Sequence, residues 1–178
     1  MHTASSFSTQ QPLAYGMTDS NWATDALTRR SQSGTAIFLG NNLIRWSSRK
    51  QTMVTLSSTE AEYIALCSTN RSTVALRQLL IDLDIVKPDF TIPVYIDNTT
   101  ALSIANHGQV TERSKHFDIR SHYNHQLVEN KIRKNYKVHT LDNLADFFTK
   151  PLERNKFQEL RSKLGLEQLR QRGVLDEM

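Results

Sequence analysis

The feature that most narrows the folds open to this chain is a hairpin signal at residues 34–47, where GTAIFL and LIRWS flank Gly40-Asn41-Asn42. Gly and Asn accept the positive φ that tight hairpin turns demand, so antiparallel strands are predicted on both sides. Ahead of them, 15–19 (YGMTD) predicts another strand, joined to the hairpin by the polar connection NWATDALTRRSQSG. The pattern then changes period. TLSST at 55–59 leads into AEYIAL with Thr59 and Glu62 at capping-box spacing, which starts a helix there. Ile64, Cys67, Val74, Leu76, Leu79, Leu80 and Leu83 carry its apolar stripe to about Asp82, although the polar run STNRST at 68–73 weakens its middle.

Further along, PVYI at 93–96 predicts a fourth strand and TTALSIANHG a helix that closes on Gly108. Residues 113–129 predict an amphipathic helix, IRKNYKVHTL a basic fifth strand, NLADFFTK a short helix stopped by Pro151, and 155–169 a last amphipathic helix. Strands interleaved with helices in this order predict an α/β fold, a mixed sheet with helices on its faces.

A length of 178 residues fits one domain. The divisions expected are a Ser, Thr and Gln rich lead-in at 1–13, the domain proper at 14–152, and a C-terminal helix and tail at 153–178. The single Cys67 excludes an internal disulfide and any multi-cysteine metal site. No run approaches the roughly 18 apolar residues of a membrane span, and the first residues lack the basic and apolar regions of a signal peptide, so a soluble, intracellular protein without a membrane partner is expected. The net charge is +4 and the pI about 9.3. Basic residues gather at Arg29, Arg30, Arg45, Arg49 and Lys50, and again at Arg113, Lys115, Lys131, Arg133, Lys134 and Lys137. This distribution suggests phosphate contacts around a local acidic site.

Four acids stand at places where elements meet: Asp19 at the end of the first strand, Glu62 at the start of the long helix, Asp97 after the fourth strand, and Asp146 in the short helix after the fifth. Carboxylates at strand ends and helix starts can converge at one edge of a sheet, and such a cluster is what oxygen-seeking Mg²⁺ requires. Spacing alone leaves the bland alternative open, since isolated acids are commonly solvated or capping groups.

The words around these acids are more specific. TDSNWATD (18–25), RRSQSG (29–34), SSRKQTMVTLSSTEAEYIAL (47–66), YIDNTTAL (95–102), RSKHFDIRSHY (113–123) and LADFFTKPL (144–152) occur in an order that resembles the ribonuclease H domains of copia-type (Pseudoviridae) LTR retrotransposon Pol polyproteins. The resemblance covers about residues 15–166. It implies a ribonuclease H-like five-stranded mixed sheet flanked by helices, and a metal-dependent endonuclease that hydrolyses the RNA strand of RNA/DNA hybrids during reverse transcription. It also implies two Mg²⁺ or Mn²⁺ ions held by Asp19, Glu62, Asp97 and Asp146, with Glu60 the alternative to Glu62. Arg29, Arg30, Ser31, Asn98 and Lys115 are the candidate nucleic-acid contacts. Reverse transcriptase and integrase portions of the same polyprotein are the implied partners, and cytoplasmic virus-like particles and the nucleus the implied locations.

Several residues carry plainer readings. Trp22 and Trp46 are read as packing groups, with Trp22 the one that could touch a hybrid; His116 and His122 are read as packing or hydrogen-bonding residues. Val138-His139-Thr140 stands where the family has V-P-T, so His139 is read as a loop residue rather than a catalytic one. The family's aromatic in the long helix is missing from CSTNRSTVALRQLL, which predicts local repacking. The same fold could also serve a non-catalytic, domesticated or truncated element fragment that binds nucleic acid or protein. An integrase-like or resolvase-like enzyme is a second alternative, which the copia-type words disfavour.

Overall fold

The computed structural model describes residues 12–107 and 118–167, the side chains of 118–122 apart. Strands β1 (Ala14–Asn21), β2 (Gln32–Leu39), β3 (Asn42–Lys50), β4 (Ile92–Ile96) and β5 (Arg133–Lys137) form one sheet in the order β3-β2-β1-β4-β5. β1, β2 and β3 pair antiparallel, whereas β4 lies parallel to β1 and β5 parallel to β4. The predicted five-stranded mixed sheet is therefore present. Its hairpin closes at Gly40, whose φ of +55° is the left-handed conformation that glycine supplies without a Cβ penalty.

The pleat sorts β1 into two faces. Tyr15 and Met17 pack with Ala36, Phe38, Leu144, Ala145, Phe148, Leu160 and Leu164. Burying a side chain such as Phe38 contributes roughly 1.5–3 kcal/mol. Gly16 faces the other way, onto α1 (Ser58–Asp82); an added Cβ there would stand 2.8 Å from Thr73 Cγ2 and 3.1 Å from Thr69 Cγ2. On this second face Tyr63, Leu66 and Cys67 of α1 pack with Val94 and Ile96 of β4 and with Ala101 and Ala105 of α2 (Thr99–His107). Helix α3 (Asp118–Glu129) precedes β5, and α4 (Arg154–Lys163) lends Leu160 to the first face.

Some expected boundaries move. The capping box of α1 is Ser57 with Glu60, because the Ser57 hydroxyl accepts from the Glu60 N–H and Glu60 Oε2 accepts from the Leu56 N–H. Thr59 and Glu62 lie within the helix itself. The segment expected as a short helix at 143–150 is instead a 3-10 turn, Leu144–Phe148, preceded by another at Thr140–Asp142. The last helix stops at Lys163 rather than 169, with Gly165 at φ +69° just after it. Helix α3 is described over Asp118–Glu129; its expected start at 113, with Gly108, Lys115, His116 and the rest of 108–117, lies outside the described residues, as does the side chain of His122.

The apolar stripe expected along α1 is also redrawn. Leu79 and Leu83 are exposed, and the middle of the buried face is polar: Thr69, Asn70 and Thr73. Each has a partner. Thr69 Oγ1 and Thr35 Oγ1 are 2.8 Å apart, Asn70 Nδ2 donates to Asn124 Oδ1, and Thr73 Oγ1 donates to the Asn70 carbonyl. Small polar side chains let helix and sheet approach closely here, and their mutual bonds offset the desolvation of the hydroxyls and amides.

Candidate metal centre

The site grows out of strand parity. Tyr15, Met17 and Asp19 share one face of β1, and Thr18 pairs with Ile96 in the parallel ladder, so the residues one step beyond are Asp19 and Asp97. Tyr95, two residues before Asp97, packs against the same core as Tyr15 and Met17. The 3-10 turn Leu144–Phe148 covers that face and brings in Asp146. One carboxylate oxygen from each of Asp19, Asp97 and Asp146 lies within 4.8 Å of the others. The turn is pinned to the strand by the buried Asn143, whose Nδ2 donates to the Thr18 carbonyl at 3.0 Å and whose Oδ1 accepts from the Ala145 N–H at 3.2 Å.

Glu62 approaches from α1, on the opposite face, and stands outside that trio. It is buried, and Glu62 Oε2 has no hydrogen-bond partner among the described residues. Burial, with the charges of Asp19 and Asp97, pushes its carboxyl up to about 9. Burial also raises Asp19, to about 7; the hydrogen bond donated by Thr149 works the other way, and the Asp146 and Asp97 charges add to the rise. The Lys150 ammonium pairs with Asp146 at 2.9 Å. Burial opposes the Lys150 charge, yet the bond to Asp146 and the charge of Asp19 outweigh it and raise the pKa. Buried carboxylates held this close repel one another, and one lysine is the only ammonium paired with them among the described residues.

Glu60, the alternative to Glu62, is committed to the cap of α1. Asn98 likewise serves a helix, its Oδ1 accepting from the Ala101 N–H at the start of α2. Arg29 and Arg30 are exposed in the loop between β1 and β2, with Arg29 at φ +54°. Ser31 is a correction: it is fully buried, its Oγ accepting from the Ala23 N–H and lying 2.9 Å from Thr55 Oγ1, so it fastens the loop and offers no hydroxyl to a ligand. Trp22 is half-exposed, with its indole N–H donated to the Thr55 carbonyl. Trp46 lies flat on Phe148, centroids 5.5 Å apart. His139 Nδ1 accepts from the Leu141 N–H and caps the first 3-10 turn. Sequence reasoning missed Thr149, Lys150 and Asn143, all within the NLADFFTK word: Thr149 bonds Asp19, Lys150 pairs with Asp146, and the Asn143 carbonyl accepts from the Asp146 N–H.

No protein-family model matches the chain. It is 32% identical over 160 residues to the retrovirus-related Pol polyprotein from transposon TNT 1-94 of Nicotiana tabacum, an alignment covering 90% of this chain and 12% of that protein. It is 35% identical over 154 residues to the corresponding polyprotein from transposon RE1 of Arabidopsis thaliana, covering 85% and 10%. The chain thus spans about a tenth of the length of these relatives. Among solved structures, LC11-RNase H1 isolated from compost matches with a TM-score of 0.56 at 18% identity, over 76% of this chain and 91% of that one. The same enzyme in complex with an RNA/DNA hybrid matches with a TM-score of 0.54 at 16% identity, over 76% and 93%. Such identities speak for the fold alone.

Proposed function

We propose that this chain, a homologue of the retrovirus-related Pol polyproteins of plant transposons with a ribonuclease H fold, is a metal-dependent endonuclease that hydrolyses the RNA strand of RNA/DNA hybrids during reverse transcription. One observation carries the reading: three carboxylates from β1, the end of β4 and the 3-10 turn meet within 4.8 Å at one sheet edge. The residues fit divalent cations. Glu62 has a buried oxygen with no partner, and the burial that raises Asp19 and Glu62, with the mutual repulsion added to it, is what a hard cation with oxygen ligands would offset. Asp19, Asp97 and Asp146, with Glu62 behind them, would hold two Mg²⁺ or Mn²⁺ ions, which when bound supply the Lewis acidity for phosphodiester hydrolysis to 5′-phosphate and 3′-hydroxyl ends.

The chain's own residues prepare that site. Thr149 orients the Asp19 carboxylate through its hydroxyl, and Asn143 fixes the height of the 3-10 turn against β1. Lys150 balances part of the negative charge and holds Asp146 in place. Arg29 and Arg30, exposed in the loop between β1 and β2, are the proposed contacts to backbone phosphates, with Asn98 and Lys115 the other candidates, and preference for a hybrid over duplex DNA would rest on 2′-hydroxyl contacts. Reverse transcriptase and integrase portions of a longer polyprotein are the proposed partners, in virus-like particles of the cytoplasm and in the nucleus.

The test is cleavage of an end-labelled RNA/DNA hybrid with Mg²⁺ and with EDTA, for the wild type and for Asp97→Asn. Cutting that needs Mg²⁺ and vanishes in the variant is expected. Cutting in EDTA, or an Asp97→Asn protein as fast as wild type, would overturn the proposal, and binding without any cutting would favour a non-catalytic module.

A further inference from the structure

The polar run at 68–73 that interrupts the apolar stripe of α1 is only half used by the core. Thr69, Asn70 and Thr73 turn inward, while Ser68, Arg71 and Ser72 turn toward the edge strand β3. Along β3 the alternation of side chains puts Arg45, Ser47 and Arg49 on the α1 side, with Ser47 opposite Thr35 and Arg49 opposite Ser33. Between helix and edge strand runs a groove of about 460 Å³, walled by Ser33, Arg45, Ser47, Arg49, Arg71 and Ser72. No carboxylate lines it.

Among the described residues none of these three arginines has an ion-pair partner, whereas Lys50, Lys150 and Lys163 are all paired with acids. Three like charges around one polar groove repel one another until an anion enters, and the guanidinium fork matches phosphate oxygens two at a time. Serine hydroxyls add donors without size.

We propose that the β3–α1 groove is a second phosphate-binding surface, which takes the sugar-phosphate backbone of nucleic acid beyond the segment held at the carboxylates. This deepens the nuclease reading and rests on it. Two features favour a nucleic-acid strand over an acidic protein segment. Arg45 and Arg49 stand about 13 Å apart along the strand, close to the axial rise of four nucleotides at about 3.4 Å each. The groove also leads to the catalytic edge: Arg49 pairs across to Ser33, and Ser33 to Ser20, the residue after Asp19, so two strand spacings of about 4.8 Å separate the end of the groove from the carboxylate strand.

The experiment measures binding of fluorescein-labelled RNA/DNA hybrids in EDTA by anisotropy across a KCl series, using a short hybrid that fills the carboxylate edge alone and one longer by a helical turn. The proteins are the wild type and the Arg45→Gln/Arg49→Gln/Arg71→Gln variant, all exposed positions. For the long hybrid the slope of log affinity against log salt should fall by about three in the variant, roughly one per arginine, with an affinity loss on the order of tenfold or more. Short-hybrid binding, Mg²⁺-dependent cleavage of the short hybrid and the melting temperature should stay as in wild type. An unchanged slope for the long hybrid overturns the proposal, as does poly-glutamate competing for the wild-type groove as well as the hybrid does. Loss of slope in a protein that never cuts with Mg²⁺ would sink the nuclease reading and leave the groove standing.

Discussion

Gly34 gives the sharpest test of how the fold places the site. It lies on β2 opposite Asp19, and an added Cβ would meet Thr149 Cγ2 at 2.6 Å, the Ala145 carbonyl oxygen at 2.7 Å and Phe148 Cβ at 3.3 Å. Ordinary contact begins near 3.4 Å, so Gly34→Ala requires the 3-10 turn to retreat by 3.4 − 2.7 = 0.7 Å at a backbone atom that no rotamer change can move. Turning Thr149 aside instead would break its bond to Asp19. Overpacking of this kind costs about 1–3 kcal/mol, offset by about 0.4–1 kcal/mol from the stiffer unfolded chain. The net cost is thus up to about 2.6 kcal/mol, and at about 2–4 °C per kcal/mol the melting temperature should fall by up to about 10 °C. Activity should fall further than stability explains, because Asp146 follows Ala145 directly. A misplacement near 1 Å can cost on the order of 10²-fold in rate. Single-turnover cleavage of a hybrid with saturating Mg²⁺ reads this, with Gly40→Ala as the control: Gly40 has φ +55° and nothing near its Cβ, so the strain of about 1–2 kcal/mol lowers stability without touching the site. Gly34→Ala that cleaves and melts like wild type would refute the packing argument.

Other outcomes follow from the same geometry. Asp19 and Glu62 have folded pKa values above those of ordinary carboxyls, so between about pH 4 and pH 9 the folded protein binds more protons than the unfolded chain, and thermal stability in EDTA should fall as pH rises through about 7 and about 9. Glu62→Gln should therefore melt higher than wild type in EDTA at pH 9 and gain less from added Mg²⁺; a lower melting temperature in EDTA would contradict the assignment. Glu60→Ala should lose about 1 kcal/mol with the cap of α1, seen in urea unfolding, and keep wild-type cleavage. Asn143→Ala strips the Thr18 carbonyl and the Ala145 N–H of a buried partner, at about 1–3 kcal/mol, and should slow cleavage as well, which a cap loss at Glu60 does not.

Most of the architecture was legible because its signals are local. The hairpin at Gly40, the strand at PVYI and the helix after TLSST each announce themselves within a few residues, and all five strands lie where alternation and turn chemistry put them. The homology read from the ordered words holds, since the relatives are retrovirus-related Pol polyproteins from plant transposons. What escaped depends on partners distant in sequence. Nothing in RRSQSG shows that Ser31 is sealed against Thr55, 24 residues away, and nothing in LADFFTK shows that Thr149 reaches Asp19 across 130 residues. The α1 stripe misled for a related reason: Thr69, Asn70 and Thr73 are core residues only because Thr35, Asn124 and the close approach at Gly16 make them so.

The choice between Glu60 and Glu62 shows where more could have been drawn from sequence. Ser57 and Glu60 hold S-x-x-E spacing just as Thr59 and Glu62 do, and one helix start can use one pair. Once Ser57 caps, Glu60 is drawn back to the Leu56 N–H and is lost to any site, while Glu62 lies on the buried face with Leu66, Thr69 and Thr73. Strand parity completes the argument. Asp19 continues the face of Tyr15 and Met17, and Asp97 that of Tyr95, so the aspartates belong to the side covered by the 3-10 turn, and Glu62, coming from α1, reaches their edge from the other side. The fourth carboxylate thus stands apart from the trio because of the pleat, and Glu62→Asp, shorter by one methylene, should weaken Mg²⁺ binding. Isothermal titration of Mg²⁺ into Glu62→Asp measures this, and wild-type affinity would place the site without Glu62.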